Sequence, residues 1–444
     1  MVDSRMDNEQ VPLHKPTGIR PAPLPCALVA FESDQGRAGC CYLPDGQYQQ
    51  IEGPSQLRND ILWLSNLPAL EPLTHLYPNL RSRVYLNRRP EDICRDLAIT
   101  NPLEPAPGIE ETANCAARLS SVFTRVTTIA ARAYGWDVYE MGPLRVREPL
   151  LMRDIEASLP TIASVEPELQ RALVQAYQGF SAPDTTQYYW SPNHISITLR
   201  FNELRYINQL LSAPVPCKGK WIKVQGQAWN QSEVLDYCLA RPTVVRASID
   251  WSNTSEQESV LAAFGMSGQA KGSQRRWLTQ PELAWISKLA RIEIHQFWVF
   301  EGNLQPLSDE WQLPELLKDR PQAALSYSAG LVAHNHFLAL TEQKWDRDNK
   351  IMSATAPATW LRALDRAMMY QIAYKAEKKG FTVQRYGLGS LQVRIHPDQI
   401  AQLEAFRQEN GFLYPDLKWI QDQHALNQAP APGAVKKKAG WHPL

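Results

Sequence analysis

Short runs in this chain alternate or concentrate apolar residues as strands do, and longer ones repeat them at the three- and four-residue steps of helices. Cys26-Ala-Leu-Val-Ala-Phe31 is an apolar run of strand length. Gly36 to Gly39 supply a turn, Cys40-Cys-Tyr-Leu returns, and Asp45-Gly46 suits a hairpin turn. Arg83-Val-Tyr-Leu reads as another strand, and Glu110 to Tyr134 has helical periodicity. Further on, Glu166 to Tyr177 is helical, whereas His194–Leu199, Lys220–Val224 and Thr243–Ile249 predict strands. Gln280–Leu289 reads as a helix. Arg291–Phe300 then alternates with period two, the pattern of a half-buried strand. A helical pattern from Trp360 ends at Gly380, and a hairpin-like stretch follows, Gln384-Arg-Tyr-Gly-Leu-Gly-Ser-Leu-Gln-Val393. No repeat is visible.

Composition changes the picture in three ways. The chain has 444 residues, enough for two or three domains with real cores, and 14 Trp and 16 Tyr argue for a folded globule. It carries 46 basic and 46 acidic residues, so it lacks the overall basic footprint of an avid nucleic-acid binder, though local basic grooves remain open to it. Its seven cysteines form no C-x-x-C pair and no zinc-ligand spacing, which suits a reducing cytoplasm. No run has the length of a membrane span, and no leader-like apolar segment opens the chain. No phosphate-binding P-loop motif is present, and Gly265, Gly268 and Gly272 read as a flexible connection. The Pro-rich residues 1–24 read as a flexible arm, and 427–444, with Lys436-Lys-Lys438, as a disordered tail.

Four segments, in order, resemble a compact family B DNA polymerase of viral or mobile-element type. Ala176-Tyr177-Gln178-Gly179 is similar to the family's Y-x-G-G linker. Leu199-Arg200-Phe201-Asn202-Glu203-Leu204 is similar to the strand end Y-D-x-N-S-L, with Arg200 at the place of a metal-binding Asp. Trp277-Leu-Thr-Gln-Pro-Glu-Leu resembles W-x-T-S-P-E-L, followed by a helix and the strand ending Phe297-Trp-Val-Phe300. Tyr386-Gly387-Leu388-Gly389-Ser390-Leu391 stands where the family has Y-x-D-T-D-S-L. The resemblance implies an α/β (α+β) architecture: a degenerate RNase H-like exonuclease domain over 25–140, a linker over 141–180, a palm split into 181–305 and 351–426, and reduced fingers over 306–350. The thumb is nearly absent.

The resemblance also implies lost chemistry. Nucleotidyl transfer by two metals needs carboxylates, because magnesium demands hard anionic oxygen ligands in near-octahedral geometry. Arg200 would set a permanent positive charge where a metal belongs, and Gly387 and Gly389 offer no ligand. In the exonuclease-like part, Phe31-Glu32-Ser33-Asp34 corresponds to F-D-x-E and Asn87 to Asp92 to N-x-x-F-D. Arg118 falls where the third motif has Asp. No cofactor and no metal site is expected.

The expected role is therefore a non-enzymatic, nucleic-acid-binding scaffold of a replication, mobile-element or defence complex. DNA or RNA and other proteins are its expected partners; no membrane and no small-molecule substrate are. Arg200, Arg205, Lys218, Lys220, Lys223, Arg275, Arg276 and Tyr386 are the candidate contacts, with Arg241, Arg246 and Lys271 near them and Trp221 and Trp277 as stacking platforms. Two alternatives stay open. Charge neutrality suits a purely protein-binding subunit. A nuclease or nickase would use Glu32 and Asp34, or Tyr370 and Tyr374, which share a helical face and, with His334-Asn335-His336, resemble the elements of rolling-circle initiators.

Overall fold

The computed structural model describes residues 25–33, 35–66, 73, 76, 77, 80, 81, 90–103, 109–134, 165–178, 194–225, 230–250, 273–307, 323–346 and 351–428. The expected arm at 1–24, the expected strand at 83–86, the connection holding Gly265, Gly268, Lys271 and Gly272, and nearly all of the expected tail lie outside them.

The N-terminal lobe is built on β1 (Cys26–Phe31), β2 (Gly39–Tyr42), β3 (Tyr48–Ile51), β4 (Leu62–Ser65) and β5 (Leu80–Arg81), in the order β3-β2-β1-β4-β5. β1, β2 and β3 are antiparallel neighbours, while β4 runs parallel to β1 and β5 parallel to β4. Helices α1 (Pro90–Asp96) and α2 (Ile109–Tyr134) follow. Both faces of β1 are covered, which explains its unbroken apolar run. Cys26 and Leu28 join a core with Leu119, Val122 and Phe123 of α2, whereas Ala27, Val29 and Phe31 join Ile51 and Trp63 on the other side. Two hydroxyls of α2 serve the backbone at the start of β1. Thr124 Oγ1 accepts from the Cys26 N–H at 2.9 Å, and Ser120 Oγ donates to the Cys26 carbonyl.

The second lobe begins with α3 (Pro167–Gln178), β6 (Ile195–Arg200), α4 (Glu203–Leu211), β7 (Pro214–Gln225), α5 (Gln231–Leu239), β8 (Thr243–Asp250), β9 (Ser273–Thr279), α6 (Gln280–Ile286) and β10 (Arg291–Pro306). It continues with α7 (Ala323–Leu340), β11 (Lys344–Asp346), β12 (Ile351–Ser353), α8 (Ala356–Lys378), β13 (Thr382–Gly387), β14 (Ser390–Ile395), α9 (Ile400–Glu409) and α10 (Leu417–Gln428). One antiparallel sheet has the order β7-β10-β8-β9 and another β13-β14-β6. Helix starts follow local chemistry: Asn202 caps α4 by accepting from the Arg205 N–H at 3.1 Å, and Thr355 caps α8 through the Ala358 N–H at 3.2 Å. Among the described residues no helix is long and apolar enough to cross a membrane.

Helix α7 ties the lobes together. It is apolar on all sides, as a buried helix is. Tyr327, Ala329, Leu331 and Val332 belong to the N-terminal core, and Ala333 and Phe337 to the second. A Cβ on Gly330 would come within 3.1 Å of the Leu204 nitrogen, so glycine is what lets α7 lie against α4. His334-Asn335-His336 sits on this helix, not on a strand, which corrects the metal-strand alternative. Both histidines are buried, and His334 Nδ1 is 3.0 Å from Glu203.

Candidate nucleic-acid interface

β6 pairs with β14 so that Arg200 lies opposite Ser390, at the mouth of the β13–β14 turn. Residues nearly two hundred positions apart in the chain thus meet. A cleft of about 780 Å³ opens there, between this sheet, α8 and α1. Five arginines line it, Arg95, Arg200, Arg362, Arg366 and Arg385, against two carboxylates, Asp92 and Asp365.

Arg200 does not face an open phosphate site, as had been expected. Its side chain is 6% exposed and forms an ion pair with Asp96 of α1, with Asp92 at 3.9 Å. Asp96 also accepts from the Tyr327 hydroxyl at 2.7 Å. Burial works against the guanidinium charge, but Asp96 and the other acidic neighbours outweigh it and raise its pKa. Arg200 is therefore a tie between the lobes.

The hairpin turn is shaped around its missing side chains. Gly387, Leu388 and Gly389 have φ of +135°, +50° and +68°. A Cβ on Gly389 would sit 2.9 Å from the Tyr206 ring, and one on Gly387 3.5 Å from Asp365 Oδ2. Asp365, on α8, holds the turn: it accepts from the Leu388 N–H at 2.8 Å and from the Tyr206 hydroxyl at 2.7 Å. Burial and this carboxylate push the Tyr206 phenol well above its ordinary pKa, so it stays a donor. A metal pair needs several free anionic oxygens. Here the turn offers two glycines beside the Arg200 guanidinium, and each oxygen of Asp365 already accepts a hydrogen bond. These residues do not fit a metal pair.

The other arginines divide by partner. Arg366 donates to Glu282 at 2.7 Å and to the Ala176 and Tyr177 carbonyls at 2.9 Å each, closing the C-terminal end of α3. One side chain thus joins the segment resembling the linker, the Pro-Glu-Leu segment and α8. Arg95 lies 3.3 Å from Asp92. Arg362 lies over the rings of Tyr177 and Phe337, 5.7 and 5.5 Å from their centroids, and Arg385 is exposed on β13. Neither has a carboxylate partner among the described residues. Sequence reading missed all four. Arg362 looked like a polar position on a helix and Arg385 like one on a strand.

Apart from Arg200, the predicted basic residues do not gather in this cleft. Lys218 and Lys220 are exposed on one face of β7, with Glu301 directly across from Lys220. Lys223 belongs to the other face and pairs with Glu168 at 2.5 Å. Arg275 and Arg276 are adjacent on β9 and so point to opposite faces. Arg205 is exposed on α4, and Arg241 lies over the Tyr237 ring. Trp221 packs toward Phe300 and Trp360, and Trp277 is buried, so neither is an open stacking platform. Tyr386 does line the cleft, but its hydroxyl end is buried, and that burial pushes its pKa well up.

In the N-terminal lobe, Glu32 is exposed, Asp92 serves Arg200 and Arg95, and Arg118 donates to the Leu97 carbonyl at 3.2 Å. Asp34 lies outside the described residues. Tyr370 is buried against Trp285 with its phenol pKa pushed up by burial, which removes it as an exposed nucleophile; Tyr374 is half-buried beside Lys378.

No family model matches the chain, and no curated protein does. Among solved structures, Phi29 DNA polymerase complexed with single-stranded DNA is similar at 10% identity and a TM-score of 0.44, over 84% of this chain and 80% of that one. The same polymerase with primer-template DNA and incoming nucleotide substrates gives 10% and 0.41, over 84% and 80%. Its post-translocation binary complex with primer-template DNA gives 11% and 0.42, over 83% and 80%.

Proposed function

We propose that this chain is a catalytically silent, polymerase-like scaffold that binds nucleic acid. The observation that carries the reading is the meeting of β6 with the β13–β14 turn: segments that resemble a polymerase's two metal-binding motifs lie side by side, with Arg200, Gly387 and Gly389 in place of carboxylates. Arg200 is neutralised by Asp96, and the turn is closed by Asp365 and Tyr206. The N-terminal sheet order β3-β2-β1-β4-β5, with α2 against it, supports a degenerate RNase H-like, exonuclease-derived lobe. Arginine, planar and always charged, is the residue best suited to hold phosphate in the cleft.

Two measurements on the full chain test this. Primer extension and strand cleavage with Mg²⁺ or Mn²⁺ are expected to stay at background. Fluorescence anisotropy at low salt is expected to report binding of labelled DNA or RNA. Metal-dependent extension or cleavage overturns the silent assignment; no binding at low salt overturns the nucleic-acid assignment.

A further inference from the structure

We infer that the cleft takes a nucleotide phosphate, presented by an unpaired strand or a free nucleotide, and that Arg362 and Arg385 are the groups that hold it. This rests on the nucleic-acid reading above and narrows it to one place and one ligand form.

Partners decide which cations are available. Arg200 is bound to Asp96, Arg366 to Glu282 and two helix-end carbonyls, and Arg95 to Asp92. Arg362 and Arg385 keep no acidic partner among the described residues, yet both border the same cavity. Arg362 is pre-positioned over two aromatic rings, so little side-chain freedom is lost when it meets an anion. Neutral hydrogen-bonding groups, Thr198, Gln178 and Gln392, share the wall, which suits a ligand with both phosphate and base edges. A volume of about 780 Å³ lies within the range of about 300–1,000 Å³ typical of small-ligand sites. A space of that size holds one or a few nucleotides of a single strand and is too small to enclose a base-paired duplex with two backbones.

The test uses the full-length protein and anisotropy titrations over a salt series with labelled oligothymidylate, competed by a nucleoside triphosphate and by a blunt duplex. The double variant R362A/R385A is expected to bind the single strand at least tenfold more weakly. The slope of log affinity against log salt should shrink by about 1.4, two contacts of about 0.7 each. R385A, at an exposed position, and R362K, which keeps the charge but not the planar fork, guard against misfolding and should each give part of the loss. Competition by the triphosphate assigns the site to the phosphate itself; its failure with the strand still bound assigns it to the polymer. If affinity instead follows K218A/K220A, or the duplex competes as well as the strand, this site assignment falls while nucleic-acid binding stands. If the wild type binds neither strand nor nucleotide at low salt, both fall.

Discussion

Arg200 and Arg385 border one cleft, yet they are opposite kinds of residue. The first is buried and tied to Asp96; the second is exposed with no acidic partner among the described residues. A cation in a cleft is thus a ligand site only when no neighbouring carboxylate has claimed it. Removing one partner of a buried pair leaves an uncompensated charge, whereas removing an exposed cation leaves almost nothing unsatisfied.

The largest expected effect tests the buried side of that contrast. Arg200→Ala strands Asp96 and is expected to lower stability by about 3–5 kcal/mol in chemical denaturation. Replacing both partners with leucine should recover much of the loss, because neither charge is then buried. If R200A unfolds with the wild type, the tie between the lobes is not there.

The turn beside Arg200 comes next. Gly389→Ala forces a Cβ against Tyr206 in a left-handed backbone and is expected to cost about 1–3 kcal/mol. Gly387→Asp/Gly389→Asp should destabilise further and give no nucleotide incorporation. Primer extension by that variant would mean that the turn accepts a metal pair.

Acid should weaken the fixed framework while the arginines keep their charge throughout. Burial holds the His336 imidazole well below its ordinary value of 6.5. The unfolded chain takes up a proton near that pH and the folded chain does not. This contribution is intact above about pH 6.5 and is lost as the pH falls below it, at up to about 1.4 kcal/mol per pH unit. Thermal melts from pH 7 downward should therefore show a shallower decline for His336→Leu. Equal slopes for variant and wild type would remove the histidine from the balance.

Arg385→Ala closes the series. Stability should change by no more than about 0.5 kcal/mol, while single-strand affinity falls. A large loss of stability would show that Arg385, too, belongs to the framework.

Local pattern made about half of the elements legible and hid the others. The helices at 109–134, 167–178 and 356–378 and the strands around 26–31, 195–200 and 243–250 follow the periodicities read from the chain. β4 was missed because Leu62–Ser65 spans four residues, too few for alternation to show. α7 was missed because a helix apolar on every side has no stripe to reveal its period. α1 was missed because Pro90–Asp96 is only seven residues, too few for a helical period to repeat.

By itself the sequence determined where about half of the helices and strands form, that a hairpin-like stretch follows Gly380, and that Arg200 falls where the family it resembles keeps an acid. These are properties of neighbouring residues and can be read locally. Only the tertiary structure decided which charges are bound and which are open. Asp96 meets Arg200 across 104 positions, and Glu282 meets Arg366 across 84. Coulomb energy and desolvation depend on distance and burial in space, and neither is written in the spacing of residues along the chain.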